Sequence, residues 1–226
     1  MSGLFLVLEG VDGAGTTTQL ERLTRRLTAL GHDVHPTREP STGPIGALLR
    51  QLLSGVLARG ARLPASPSSP SGAPDWDTMA LLFAADRLDH LASEIEPVLA
   101  RGGVVISDRY DASSIGYQSV TSSGDARALD WIRTLNGHAR RPDRVLVLDV
   151  SPEEAEARRA RRGLAAEMYD AAATQRQLCA FYKELPKHMP GDAITVLDGE
   201  GSADEVEARV LAEVTALLAS KRGGER

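Results

Sequence analysis

Cysteine is almost absent. Cys179 stands alone, so no internal disulfide can form, and such sparing use fits a reducing compartment. A long apolar run is also missing. The stretch from Met1 to Glu9 lacks a basic leader and is too short for a signal peptide or a membrane span, so the chain reads as a soluble, cytoplasmic protein. There is no excess of positive charge. A formal net charge of -5 argues against a nucleic-acid binder, which is more often basic. Lysine is scarce as well: only Lys183, Lys187 and Lys221 occur, and arginine carries most of the cationic charge. What is present is a 226-residue chain with 42% hydrophobic residues. That is enough for one α/β domain with a real core, and it rules out general disorder.

The pattern of apolar residues alternates strand with helix. Leu4 to Leu8 is a short apolar run followed by Glu9 and Gly10, the signature of a buried parallel strand. Thr17 to Leu30 predicts a helix with Leu20, Leu23, Leu27 and Leu30 on one face and Gly31 as its stop. A second strand follows at Val34 to Thr37 and a second helix at Ile45 to Leu57, with Pro44 preset for its first turn. Residues 59–76 are rich in Pro, Ser, Gly and Ala without periodicity and read as a flexible surface insertion. Thr78 to Ala100 predicts one long amphipathic helix, then Val104 to Ile106 a third strand. Helices are expected near 112–120 and 126–139, a fourth strand at Val145 to Leu148, and a helix at Pro152 to Arg162. After a loop near 163–170, helix resumes at Ala171 to Leu185. A fifth strand at Ile194 to Leu197 precedes a last helix marked by Val206, Val210, Val214 and Leu217. This order predicts a parallel sheet covered by helices on both faces, and no internal repeat is present.

The first strand and the first helix are joined by Gly10-Val11-Asp12-Gly13-Ala14-Gly15-Thr16-Thr17. The phosphate-loop pattern G-x-x-x-x-G-K-[ST] in that context fits at every position except the lysine, where Thr16 stands. Glycines let backbone N–H groups converge on phosphate oxygens, and the helix N-terminus adds positive potential. Gly10, Gly13, Ala14, Gly15, Thr16, Thr17 and Thr18 are therefore the candidate phosphate cradle, with the Thr17 hydroxyl suited to magnesium. The bland alternative is a glycine-rich turn with no ligand. A dinucleotide site is disfavoured because the spacing does not give G-x-G-x-x-G.

Further motifs follow in order: Arg38-Glu39-Pro40, Thr42-Gly43-Pro44-Ile45-Gly46, Leu81-Leu82-Phe83-Ala84-Ala85-Asp86-Arg87, Asp108-Arg109-Tyr110 with Ser113-Ser114 and Tyr117-Gln118, and Pro142-Asp143. Together with Leu8 to Gly15 they resemble the thymidylate kinase family across almost the whole chain. The resemblance implies a P-loop kinase fold: a five-stranded parallel sheet with helices on both faces and a short mobile lid, here near 163–170. It implies transfer of the γ-phosphoryl of ATP to dTMP with Mg2+, in a homodimer. Asp12 would then contact the sugar 3′-hydroxyl, Phe83 stack on thymine and Arg87 bind its carbonyl edge. Arg38 and Arg109 would hold the acceptor phosphate, and Asp108 would lie near the magnesium with Thr17. Ser114 would sit by the base, Tyr117 would crowd the 2′ position and Gln118 would support the pocket.

The residue chemistry leaves alternatives open. Phe83 and Arg87 share a helix face and suit a flat base with polar edges, yet Phe83 equally suits core packing and Arg87 a solvated charge. Asp108 and Arg109 end a strand at its ligand-binding edge, where a structural ion pair would look the same. Two cations of the family pattern are missing: the loop lysine, and the lid arginine where Met168 stands. Losing one such charge can cost about 10³–10⁵ in rate. Candidate replacements are Arg158, Arg159, Arg161 and Arg162, with Arg158 and Arg162 taken as catalytic candidates; Arg158 shares a helix face with Arg162 and also with Arg161, and the alternative is a solvated basic face. A catalytically weak nucleotide-binding regulator, or a kinase for another monophosphate, are the competing functions.

Overall fold

The computed structural model describes residues 3–57, 74–122, 124–162, 168–169 and 171–224, and only the backbone of 162 and 222–224. The expected insertion at 59–76 lies outside the described residues save for 74–76. So does the expected lid at 163–170, apart from Met168 and Tyr169.

Five strands form one parallel sheet in the order β2-β3-β1-β4-β5. They are β1 (Leu4–Glu9), β2 (Val34–Arg38), β3 (Val104–Asp108), β4 (Arg144–Asp149) and β5 (Ile194–Asp198). Every residue of β1 and β3 is buried, because helices cover both faces of the sheet. Phe5, Leu6, Leu8, Val105, Ile106, Leu146 and Leu148 form its centre, and each such side chain contributes about 1.5–3 kcal/mol by leaving water. The central strand β1 pairs with β3 on one side and β4 on the other. Strand order reverses there, so a crevice opens at the carboxyl ends of β1, β3 and β4, where ligands bind in such sheets.

The helices are α1 (Thr16–Ala29), α2 (Pro44–Leu53), α3 (Trp76–His90), α4 (Glu96–Ala100), α5 (Asp111–Thr121) and α6 (Ala128–Leu135). After β4 come α7 (Pro152–Arg162), α8 (Ala172–Lys183), α9 (Leu185–His188) and, last, α10 (Ala203–Gly224). In α1, Leu20, Leu23 and Leu27 are buried as the periodicity predicts, but Leu30 caps the helix at 67% exposure instead of joining them. The helix expected to run unbroken from Thr78 to Ala100 is divided by a π-helical turn at Leu91–Ile95. Pro97 follows in the first turn of α4 and has no N–H to donate to the preceding turn, so the winding widens before it. Likewise α2 stops at Leu53 rather than Leu57, where Gly55 adopts a left-handed φ of 67°.

Candidate active site

The loop after β1 is shaped by close approach to α7. Gly13 has φ 95°, and a Cβ there would lie 2.4 Å from the Ala155 carbonyl oxygen, so no side chain fits. Gly15, at φ 98°, turns the chain into α1, whose first-turn N–H groups have no helical partner and face the crevice. Thr16 begins α1 at only 6% exposure, with its methyl packed towards Gly10. Its short, neutral side chain cannot carry a charge to the β- and γ-phosphates as the lysine of the motif does. Thr17 donates a 2.5 Å hydrogen bond to Asp108 Oδ2, and Asp108 Oδ1 is buried without a partner. Gly10, Gly13, Ala14, Gly15, Thr16, Thr17 and Thr18 thus line one wall, with Thr18, Ala14 and Gly15 bordering a cleft shared with Arg158, Arg161 and Ser202.

Asp108 closes β3, and Arg109 follows in a left-handed conformation at φ 76°, which a side chain other than glycine adopts only at a cost. Its N–H donates to the Leu8 carbonyl, and the Ser107 hydroxyl donates to its carbonyl at 2.7 Å. This strained pose turns the guanidinium back over the loop. Nη2 meets Asp12 Oδ1 at 2.5 Å, and Nη1 donates to the Gly10 carbonyl at 3.0 Å and to Ser113 Oγ at 3.1 Å. The Tyr117 ring lies beneath it, 5.4 Å away.

Glu9 is fully buried behind Arg109. Its carboxylate accepts from Tyr110 N, Ser113 N, Ser113 Oγ and Tyr182 Oη at 2.7 to 3.2 Å. Burial lifts its pKa from 4.5 to about 7, against the pull of Arg109 and the Ser113 and Tyr110 hydrogen bonds. Burial likewise pushes the Tyr117 and Tyr182 phenols well above their usual range.

Across the crevice a pocket is walled by Asp12, Phe83, Arg87, Arg109, Ser114, Tyr117 and Gln118, with Glu39, Tyr110 and Tyr169 completing it. All but one of the residues assigned to the acceptor by resemblance meet here. The exception is Arg38. Successive strand residues point to opposite faces: Thr37 turns inward to His90, so Arg38 turns outward into a groove with Leu20, Glu21 and Thr24. It is exposed and makes no ion pair among the described residues.

Arg87 is only 1% exposed. Nη2 donates to Glu39 Oε2 at 2.6 Å and to Ser114 Oγ at 3.0 Å, Nη1 is bonded to Asn136 Oδ1, and Nε has no partner. Its guanidinium is therefore partly spent on the protein, holding Glu39 and Ser114 in place, with Nε left over. Phe83 is only partly buried and lines the pocket, unlike a core phenylalanine.

The run on α7 divides. Arg158 is held by Glu154 at 2.7 Å and by the carbonyls of Ala14, Gly199 and Gly201 at 3.1 to 3.3 Å. It ties the phosphate loop to the segment after β5 and is not the free cation expected of it. Arg161 is exposed, and the Arg162 side chain lies outside the described residues. Arg159 donates to the Asp12 carbonyl at 2.5 Å and to Gln175 Oε1 at 3.3 Å.

Several residues here carry no role in the sequence reading: Glu9, Glu39, Tyr169, Gln175 and Tyr182. Tyr169 packs on Tyr117 with ring centroids 5.0 Å apart and receives a 3.3 Å hydrogen bond from Gln118. Gln175 joins Asp12 Oδ2, the Tyr169 carbonyl and Arg159. Gln175 and Tyr182 stand seven apart on the inner face of α8, with Leu178 between them, so polar groups at core positions were the available signal.

A parallel sheet with a glycine-rich phosphate loop on its central strand, and a polar pocket facing that loop, defines a P-loop protein of the nucleotide-kinase kind. A family profile described as thymidylate kinase matches residues 8–210. A protein of Pyrococcus abyssi (strain GE5 / Orsay) called "Probable thymidylate kinase" is 34% identical over 215 residues, covering 95% of this chain and 97% of its own. Another of that description, from Pyrobaculum aerophilum, is 36% identical over 206 residues, 91% of this chain and 93% of its own. A "Thymidylate kinase" of Xanthomonas oryzae pv. oryzae (strain PXO99A) is 34% identical over 223 residues, 99% of this chain and 88% of its own. The chain belongs to the thymidylate kinase family.

Proposed function

We propose that the chain transfers the γ-phosphoryl of ATP to dTMP, giving dTDP and ADP, as a step towards dTTP in the cytoplasm. The observation that carries this reading is the pocket that brings Phe83, Arg87, Ser114, Tyr117 and Gln118 together beside Asp12 and Arg109, on the far side of the phosphate loop. In the reaction a dTMP phosphate oxygen attacks Pγ, and the bond from Pγ to the bridging oxygen of ADP breaks. Loop N–H groups from Gly13 to Thr18 would hold the donor phosphates, and Arg109 would position the acceptor phosphate. Phe83 offers a ring face to the base. Gln118 Oε1 and Arg87 Nε, both buried and unpartnered, are polar groups left for its edges. Tyr117 hydrogen-bonds Asp12 at 3.0 Å and narrows the space beside the sugar.

Mg2+ favours oxygen ligands and is commonly bound through one or two protein groups plus substrate phosphates. Thr17 and Asp108 fit: a hydroxyl and a carboxylate in contact, with Oδ1 unpartnered. Bound there, the ion would neutralise charge on the donor phosphates. We also take the family's homodimer as the assembly. Exposed Leu81 and Leu88 on α3 and Leu48 on α2 support an apolar face for it.

The test is a competition. With ATP and Mg2+ held constant, dTMP, dUMP, AMP and GMP are offered and ADP release is followed. dTMP should turn over fastest, dUMP more slowly and the purines poorly. Faster turnover with AMP or GMP sinks the reading, and absence of any turnover with ATP bound favours a regulatory nucleotide binder in its place.

A further inference from the structure

Resting on the kinase reading above, we propose that Arg159 supplies the positive charge at the transferring phosphoryl group that position 16 lacks. The need comes from the donor wall. Thr16 is buried at the base of the loop, and each of the three lysines is engaged elsewhere: Lys183 lies 4.0 Å from Asp149, Lys187 pairs with Glu184 and Lys221 lies 2.6 Å from Asp143. No lysine faces the phosphate loop. Arginines of the helix packed against the loop reach its backbone, at the Ala14 and Asp12 carbonyls.

That helix is α7, and its register decides which arginine qualifies. Ala155 is fully buried where its carbonyl meets Gly13. Residues three and four positions on share its face, so Arg158 and Arg159 lean over the loop, while Arg161, exposed and 3.5 Å from Glu154, borders the cleft beside Ala14, Gly15 and Thr18. The two differ in what neutralises them. Arg158 is paired with the Glu154 carboxylate and wedged among backbone carbonyls of two loops. Among the described residues Arg159 has only neutral acceptors, the Asp12 carbonyl and the Gln175 amide oxygen, and no carboxylate within ion-pair distance.

Its position is also the right one. Asp12 belongs to the phosphate loop, yet its carboxylate is gripped by Arg109 and Tyr117 on the acceptor side. A guanidinium resting on the Asp12 carbonyl stands where donor and acceptor phosphates must meet. Gln175 touches Arg159, Asp12 and the Tyr169 carbonyl, and so fixes that guanidinium to the acceptor wall. With nucleotide bound, an anionic phosphoryl oxygen outcompetes a neutral carbonyl for the same N–H groups, because it adds the attraction of a full opposite charge to the bond. Arg159 then balances the charge that builds as the bond from Pγ to the ADP oxygen lengthens.

Two readouts test this. In turnover, Arg159→Ala should lower kcat by about 10³-fold or more, the scale of a lost arginine in phosphoryl transfer, while the dTMP KM moves less than about threefold. Guanidinium chloride at millimolar concentration should restore part of the Arg159→Ala rate and leave the Arg158→Ala rate unchanged. The second readout needs no turnover and no choice of acceptor. The parent should bind the β,γ-imido analogue of ATP more tightly than ADP. In Arg159→Ala that preference should shrink at least about tenfold, the scale of one charge-assisted contact. Near-parental kcat, or an unchanged preference for the γ-phosphate, overturns the proposal. If dTMP fails as acceptor while the binding preference still collapses, the acceptor reading is at fault and the role of Arg159 stands.

Discussion

The two walls of the crevice are built differently. On the acceptor side, charged residues are buried and cross-linked: Arg87 to Glu39, Ser114 and Asn136, and Arg109 to Asp12, Ser113 and the Gly10 carbonyl. These networks are nearly rigid, since each guanidinium answers to several partners. On the donor side the loop offers mainly backbone groups, with Thr17 bonded to Asp108, and the neighbouring Arg158 and Arg159 rest largely on carbonyl oxygens. Backbone N–H groups bind phosphate whatever the side chains are, so this wall can exchange its cation without being rebuilt. A pocket that reads base and sugar through side chains has no such freedom. This is a physical reason why a pocket built from side chains tolerates less change than a phosphate loop with Thr16 at the lysine position of the motif.

If that contrast holds, substitutions in the acceptor wall should damage substrate binding and stability, whereas Arg159→Ala on the donor wall costs kcat. The largest effect is expected for Arg109→Ala, which releases Asp12 and removes the charge facing the acceptor phosphate. Its kcat/KM for dTMP should fall by about 10³-fold or more in steady-state assays. A loss of under tenfold would mean that another residue holds that phosphate. Next is Arg87→Ala, which leaves the Glu39 carboxylate buried and unpaired. Denaturant unfolding should show a loss of about 3–5 kcal/mol, since breaking one side of a buried pair strands the other. A raised KM with unchanged stability would instead make Arg87 a ligand contact only.

Glu9 sharpens the comparison through pH. Its folded pKa, about 7, lies above the usual 4.5, so the native state holds the proton more tightly than the unfolded chain. The stability it contributes is present below 4.5 and is lost as pH rises towards about 7. Glu9→Gln should flatten that decline, measured by unfolding at the two ends of the window. An unchanged slope would show that Glu9 is ionised throughout. The smallest effect is expected for Tyr169→Phe. Only the 3.3 Å bond from Gln118 is lost, worth about 0.5–1.5 kcal/mol, so the dTMP KM should rise about two- to tenfold with kcat kept.

Much of this was legible in the sequence. Leu4 to Leu8, the glycines of the loop and the Phe83–Arg87 spacing carry local signals of strand, turn and shared face, and they are found where those signals place them. What was not legible is tertiary. Nothing local distinguishes Arg158 from Arg159, because the choice depends on Ala155 meeting Gly13 across the fold. Arg38 sits in a motif yet points away, since strand alternation gives Glu39 the inward place two residues after Thr37. The importance of Glu9 and Gln175 lies in partners 104 and 163 residues distant.

The most direct measurement is a single turnover of the unmodified chain with γ-labelled ATP, Mg2+ and dTMP, quenched at intervals and separated by nucleotide. A complete acceptor wall facing a working phosphate loop predicts that the label passes from ATP into dTDP, with ADP formed in equal amount. Label that remains in ATP, or appears only as inorganic phosphate, would contradict it.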